Sequence, residues 1–181
     1  WDNADAWPVP DTLASAGGDI RSNSFEEAGP WDLGGSEITR EKARSGKACV
    51  KLTAKNDNAR GMSSPMVSLP EDPAAVITAR FAVDAEMKAG RAYLLIRYFD
   101  KTSAPVTTVR RESHTELWNT AASTGGWQEK AITFGREGSA AQVKLPPTAA
   151  KFIFHVNFWN SDNRCDGTIW LDDLVFDGLS A

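Results

Sequence analysis

The sequence predicts an all-β chain of two packed antiparallel sheets, and three observations carry that prediction. Helical periodicity is nearly absent: apart from the polar stretch 41–45, no run keeps apolar residues at i, i+3, i+4 and i+7 for more than two turns. Short segments of alternating polarity recur instead, each closed by Gly, Pro, Asn or Asp, which is the pattern of a sandwich or barrel. The length of 181 residues, 41% of them hydrophobic, suits one compact domain with a buried core.

The elements follow in order. A short opening strand is predicted over 24–27. The segment 48–54 (ACVKLTA) alternates after the turn Ser45-Gly46-Lys47. Segment 61–69 (GMSSPMVSL) carries Pro65 and is expected to be an edge or bulged strand, because proline donates nothing to a ladder. Segments 75–85 (AVITARFAVDA) and 91–100 (RAYLLIRYFD) read as a hairpin joined by the five residues Glu86 to Gly90. Strands over 106–111, 127–134, 151–160 and 168–177 complete the set, about nine in all, the count of two packed sheets. Residues 1–19 lack alternation and are rich in Asp, Ala, Gly and Pro, so they are expected to be a lead-in or linker, with the domain occupying 20–181.

Composition narrows the function. The chain has 20 Lys+Arg against 24 Asp+Glu, a net charge of −4, and no basic run. A nucleic-acid surface needs clustered cations to neutralise phosphates, so that partner is not expected. No apolar stretch reaches the roughly 20 residues that a membrane-spanning helix needs. Cys49 and Cys165 show no CxxC spacing, which leaves one disulfide or two buried thiols open. Seven Trp stand against two Tyr. Trp fills cores but also stacks on ligands, so the question is how the seven divide.

Parity along 151–160 gives the first answer. Phe152, Phe154, Val156 and Phe158 make an apolar face, while Ile153, His155, Asn157 and Trp159 make the other. A ligand face needs an aromatic plate to stack on and fixed polar groups to orient what binds. The second face supplies both. The same parity puts Arg80 opposite Ile77, Ala79, Phe81 and Val83, and puts Tyr93 and Arg97 opposite Ala92, Leu94, Ile96 and Tyr98. Arg80, Tyr93, Arg97, His155, Asn157 and Trp159 are therefore expected on one sheet surface. Trp118 lies in the polar segment 113–120 and reads as a lid or a plug. Trp31 lies in the loop after the first strand, and Trp1 and Trp7 belong to the lead-in.

The motifs Asn23-Ser24-Phe25-Glu26, Ser45-Gly46-Lys47, Gly126-Trp127 and Trp170-Leu171-Asp172-Asp173-Leu174 occur in that order. Together they resemble the jelly-roll carbohydrate-binding modules of the xylan-, glucan- and mannan-binding type, over residues 20 to 178. The resemblance implies a galactose-binding-domain-like β-sandwich jelly roll, secreted and attached to a polysaccharide-degrading enzyme. It implies a non-catalytic role: binding a polysaccharide or oligosaccharide for the linked catalytic domain. Loops such as that of Trp31 border the ligand in this fold type, and Trp127 and Trp170 fall in framework motifs expected to be core. The resemblance also implies a structural calcium ion held by Glu26, by main-chain oxygens around Arg44 and Gly46, and by Asp172. Calcium takes 6–8 oxygen ligands, so that mixture is chemically sensible. If Trp170, Leu174 and Phe176 face the core, Asp172 faces it too, where a carboxylate needs a cation or dense hydrogen bonding.

Two other classes compete. A jelly-roll polysaccharide lyase would use Tyr93, His155 and Arg97 for proton abstraction and carboxylate neutralisation, but only Arg110-Arg111-Glu112-Ser113-His114 faintly echoes the strand motifs such a lyase would carry. A hydrolase needs two carboxylates across a groove, and the predicted face offers no such pair. A protein-interaction or adhesion module would use the same sandwich.

Overall fold

The computed structural model describes residues 22–23, 25–26, 29–106 and 114–179. The expected lead-in with Trp1 and Trp7, and all but the first residue of the strand expected over 106–111, lie outside the described residues. The described residues form twelve strands: β1 (Ser22–Asn23), β2 (Glu37–Thr39), β3 (Cys49–Lys55), β4 (Ala59–Ser63), β5 (Val67–Ser68), β6 (Ile77–Ala89), β7 (Arg91–Phe99), β8 (His114–Thr120), β9 (Gln128–Arg136), β10 (Val143–Leu145), β11 (Lys151–Trp159) and β12 (Asp166–Asp177). A seven-stranded sheet runs β10-β9-β6-β12-β3-β2, with β1 also against β12. A five-stranded sheet runs β4-β11-β7-β8, with β5 also against β11. Among the described residues only β10 with β9 is parallel.

The core lies between the sheets and is aromatic at its centre. Phe152 meets Phe134 at 5.2 Å and 76° and Phe176 at 5.8 Å and 60°, and Phe154 meets Phe176 at 5.7 Å and 71°. Edge-to-face rings of this kind add about 1 kcal/mol a pair beyond their buried area. The apolar face expected of β11 is the one in the core: Phe152, Phe154, Val156 and Phe158 are each at most 1% exposed.

Two expectations about strands are corrected. Segments 75–85 and 91–100 do not form a hairpin. β6 runs on to Ala89, Gly90 alone turns the corner at φ 76°, and β7 enters the other sheet. A Cβ at Gly90 would collide with Cys165 Sγ, so the corner requires glycine. The polar segment that holds Trp118 is, from His114 to Thr120, strand β8 rather than a lid or loop. Pro65 does interrupt its segment, dividing 61–69 into β4 and β5.

A third correction bears on the last strand. Ile169 and Leu171 face the core before Asp172, and Leu174 and Phe176 face it afterwards. The register against β6 slips between Asp172 and Val175, and Asp173 sits at φ 51°, so a bulge reverses the parity. Trp170 and Asp172 do share a face, but it is the outer one. Segment 40–48 folds back over it, with Lys42 Nζ 4.2 Å from the Trp170 ring and 2.8 Å from the buried Asp84 carboxylate. Trp170 is thus buried beneath Lys42, and Trp127 is half-buried, so neither lies in the sandwich centre. Cys49 and Cys165 are separate buried free thiols, and burial pushes that of Cys49 up to about 12.

Candidate carbohydrate-binding face

The outer face of the five-stranded sheet is built as a series of cross-strand rows. Residues directly opposite each other in an antiparallel pair point to the same side, so register places side chains together. One row is Arg60 (β4), Asn157 (β11), Tyr93 (β7) and Asn119 (β8). The next is Ser63, His155, Leu95 and Glu116, and a third holds Ile153, Arg97 and His114. Trp159 stands opposite Arg91 at the end of β11.

The rows are cross-linked. Ser63 Oγ and His155 Nδ1 share a hydrogen bond of 2.7 Å. Arg91 Nη1 donates to Asn119 Oδ1 at 2.6 Å, and Asn119 Nδ2 donates to Glu116 Oε2 at 2.6 Å. Arg60 Nη2 lies 3.4 Å from Asp32 Oδ2. Arg97 reaches over Phe99, its guanidinium carbon 5.9 Å from the ring centre. Burial pushes the His155 imidazole down to about 3, and Arg60, Arg97 and His114 repel its proton further. His155 is therefore neutral at physiological pH. Burial also raises the Tyr93 phenol, with Glu116 adding to it, so Tyr93 keeps its proton.

Of the residues expected on this face, Trp159, Asn157, His155, Arg97 and Tyr93 are on it. Arg80 is not: β6 belongs to the other sheet, where Arg80 is exposed and paired with Asp177. Trp118 is opposite Leu94, whose side chain is in the core, and it packs against that core. Trp31 is 6% exposed, edge-on to Phe25 at 5.8 Å and Phe154 at 6.4 Å, so it plugs the sandwich rather than bordering a groove. Residues the sequence reading missed are Arg60, Ser63, Glu116, Asn119 and Asp32. Arg60 precedes the predicted strand by one position. A bulge between Leu94 and Leu95 hides the alternation of β8, which would have exposed Glu116 and Asn119.

A second cluster lies on the seven-stranded sheet, where Glu26, Arg44, Gly46 and Asp172 meet. Glu26 Oε1 accepts from the Lys47 amide at 2.7 Å and the Ala48 amide at 3.4 Å. Gly46, at φ 58°, lies so close that a Cβ would overlap Glu26 Oε1. Asp172 is fully buried; its Oδ2 accepts from the Arg44 and Ser45 amides at 2.9 and 3.1 Å, and its Oδ1 from the Asp173 amide at 2.8 Å. Burial still raises the Asp172 carboxyl against those three bonds. Among the described residues no three His, Cys, Asp or Glu side chains gather to hold a metal by themselves. Main-chain oxygens of the 44–46 turn would have to share in any site. Two carboxylates held against one turn, one of them buried with its charge incompletely offset, fit a hard, oxygen-bound cation.

No family model and no curated protein matches the chain. Solved structures do. The CBM22-1 xylan-binding domain of Paenibacillus barcinonensis Xyn10C is 17% identical, with 93% of this chain and 99% of that one covered at a TM-score of 0.57. The fold is the jelly roll of carbohydrate-binding modules. The jelly roll of the C-terminal family 22 module of Clostridium thermocellum Xyn10B matches at 14% identity, covering 93% and 99% at 0.54. A family 16 carbohydrate-binding module matches at 13%, covering 87% and 99%, also at 0.54. At these identities the likeness is one of fold, and the jelly roll itself hosts more than one function.

Proposed function

We propose that the chain is a non-catalytic carbohydrate-binding module whose ligand lies on the outer face of the five-stranded sheet. The observation that carries this reading is the row structure of that face. Trp159 offers an indole, Tyr93, Asn157 and His155 offer fixed hydrogen-bonding groups and Arg60 a longer, partly exposed one, on a four-strand platform about 14 Å wide at the usual strand spacing. Two of the solved structures with this fold are xylan-binding domains, which puts xylan first among the glycans to try.

The carboxylates of the face support binding over hydrolysis. Glycosidases hold two carboxyl groups roughly 5–9.5 Å apart. Asp32 is bridged to Ser63 beside β4 and Glu116 is on β8, at opposite edges of the sheet, and each is engaged by a neighbour. The role we infer is to hold a secreted, linked polysaccharide-degrading enzyme at its substrate, an effective-concentration effect that needs no chemistry here. We further propose a structural calcium ion held by the Glu26 and Asp172 carboxylates with main-chain oxygens of Arg44 and Gly46. When bound it would neutralise the two carboxylates and lock the 40–48 segment onto β12.

Affinity electrophoresis against xylan, glucan, mannan and uronate polysaccharides tests the reading. Trp159→Ala is expected to abolish retention with an unchanged melting temperature, and full retention by that variant removes the face from consideration. Calcium is tested separately: elemental analysis should find about one ion per chain, and chelation should lower the melting temperature. No metal and no shift would end the assignment.

A further inference from the structure

Two polar atoms of the same row are buried without a hydrogen bond: Asn157 Oδ1 and Arg60 Nε. They belong to cross-strand partners, since Asn157 is opposite Arg60 in the β11–β4 register. Asn157 is 7% exposed, and on its other side stands Tyr93, 5% exposed. A buried acceptor and a buried donor left unbonded on cross-strand partners call for an explanation, because nearly all such groups in folded proteins are satisfied. Arg60 Nη2 lies 3.4 Å from Asp32 Oδ2, which leaves the buried Nε–H in want of an acceptor.

The chemistry of the two atoms is complementary to one functional group. Asn157 Oδ1 needs a donor, and Arg60 Nε–H needs an acceptor. A sugar hydroxyl is both at once, accepting from Nε–H while donating to Oδ1. An ionised carboxylate is acceptor only. It would satisfy Arg60 but set its negative oxygen against the Asn157 carbonyl. We propose that Asn157 and Arg60 form a hydroxyl-reading pair, which makes the face selective for a neutral glycan and against a uronate at this position. This inference rests on the ligand face assigned under Proposed function and names the ligand class for it.

The neighbouring charges agree. Arg60 Nη2 already faces the Asp32 carboxylate, which partly offsets its charge, and Arg91 Nη1 already donates to Asn119 Oδ1. Arg60 is the adjustable member: its long side chain is 29% exposed, and its shift admits a hydroxyl to both atoms. Trp159, two residues along β11, is placed to cover the adjoining C–H face of the sugar.

Calorimetry with neutral hexasaccharides of xylose, glucose and mannose, and with hexagalacturonate, tests the pair in the whole chain. The wild type should bind at least one neutral hexasaccharide at least tenfold more tightly than hexagalacturonate. Asn157→Leu and Arg60→Met should each weaken the neutral ligand about tenfold, and the double variant should be little worse than either, since one hydroxyl serves both residues. Asn157→Ala replaces Asn157→Leu if melting shows the latter to be misfolded. Equal or tighter hexagalacturonate binding by the wild type overturns the proposal. So does an unchanged neutral affinity in both single variants while Trp159→Ala abolishes it; the face would then bind glycan, and the pair would not read it. Binding that survives Trp159→Ala as well, or no binding of any probe, overturns the ligand face itself and the pair with it.

Discussion

His155 should make the domain sensitive to mild acid, and the size of the effect can be worked out. Its folded pKa of about 3 lies well below the ordinary value of 6.5, because burial excludes the charged form and Arg60, Arg97 and His114 oppose it. A depressed folded pKa means that the unfolded chain binds the extra proton. Stability is then full above pH 6.5 and is lost as pH falls towards 3. The whole gap corresponds to about 5 kcal/mol. At pH 5 an unfolded imidazole is almost fully protonated and the folded one almost wholly neutral, which removes about 2 kcal/mol relative to pH 7.5. Urea unfolding of the wild type and His155→Gln at both pH values reads this directly. The variant is less stable at pH 7.5, having lost the Ser63 hydrogen bond geometry, but its loss on going to pH 5 should be about 2 kcal/mol smaller than that of the wild type. Asp172, raised by burial, titrates alike in both proteins and cancels. An identical pH dependence in the two proteins would refute the buried neutral imidazole.

Two further outcomes are expected. Gly90→Ala introduces a Cβ at positive φ against Cys165 Sγ, and should destabilise by about 2–4 kcal/mol in denaturant titration; a change under 0.5 kcal/mol would show that the corner does not need glycine. Burial works against the Asp84 carboxylate, and the Lys42 ammonium and Thr124 hydroxyl outweigh it, holding it below its ordinary value. Lys42→Met strips the cation from a carboxylate that is 1% exposed. Since Lys42 is itself 34% exposed, the expected cost is about 1–3 kcal/mol, and the melting temperature should fall by several degrees; no fall would mean that solvent already satisfies Asp84.

What was legible in the sequence was what regular alternation records. β11 keeps its period over nine residues, so its core face and its polar face could both be assigned from the residue string. The motif order likewise pointed to the fold. Irregularities were what misled. The bulge at Asp172 and Asp173 reverses parity without any compositional mark, and so moved Trp170 and Asp172 from the expected core to the outer surface. Gly90 looks the same in a hairpin and in a corner between sheets, so Arg80 was assigned to the wrong face. Trp31 and Trp118 sit in segments without visible period, and only the packing against Phe25, Phe154 and the neighbouring core shows that they are structural. The convergence of Glu26, Gly46 and Asp172 spans distant parts of the chain, and it came from the resemblance rather than from any local pattern.

The central claim is that glycan binds the outer face of the five-stranded sheet. Amide and indole chemical-shift mapping during titration with a neutral hexasaccharide tests it most directly. Shifts should cluster on Arg60, Tyr93, His155, Asn157 and the Trp159 indole, with Trp170 and Arg80 unmoved. Shifts gathered instead around Thr53, Thr168 and Trp170 on the seven-stranded sheet would contradict it.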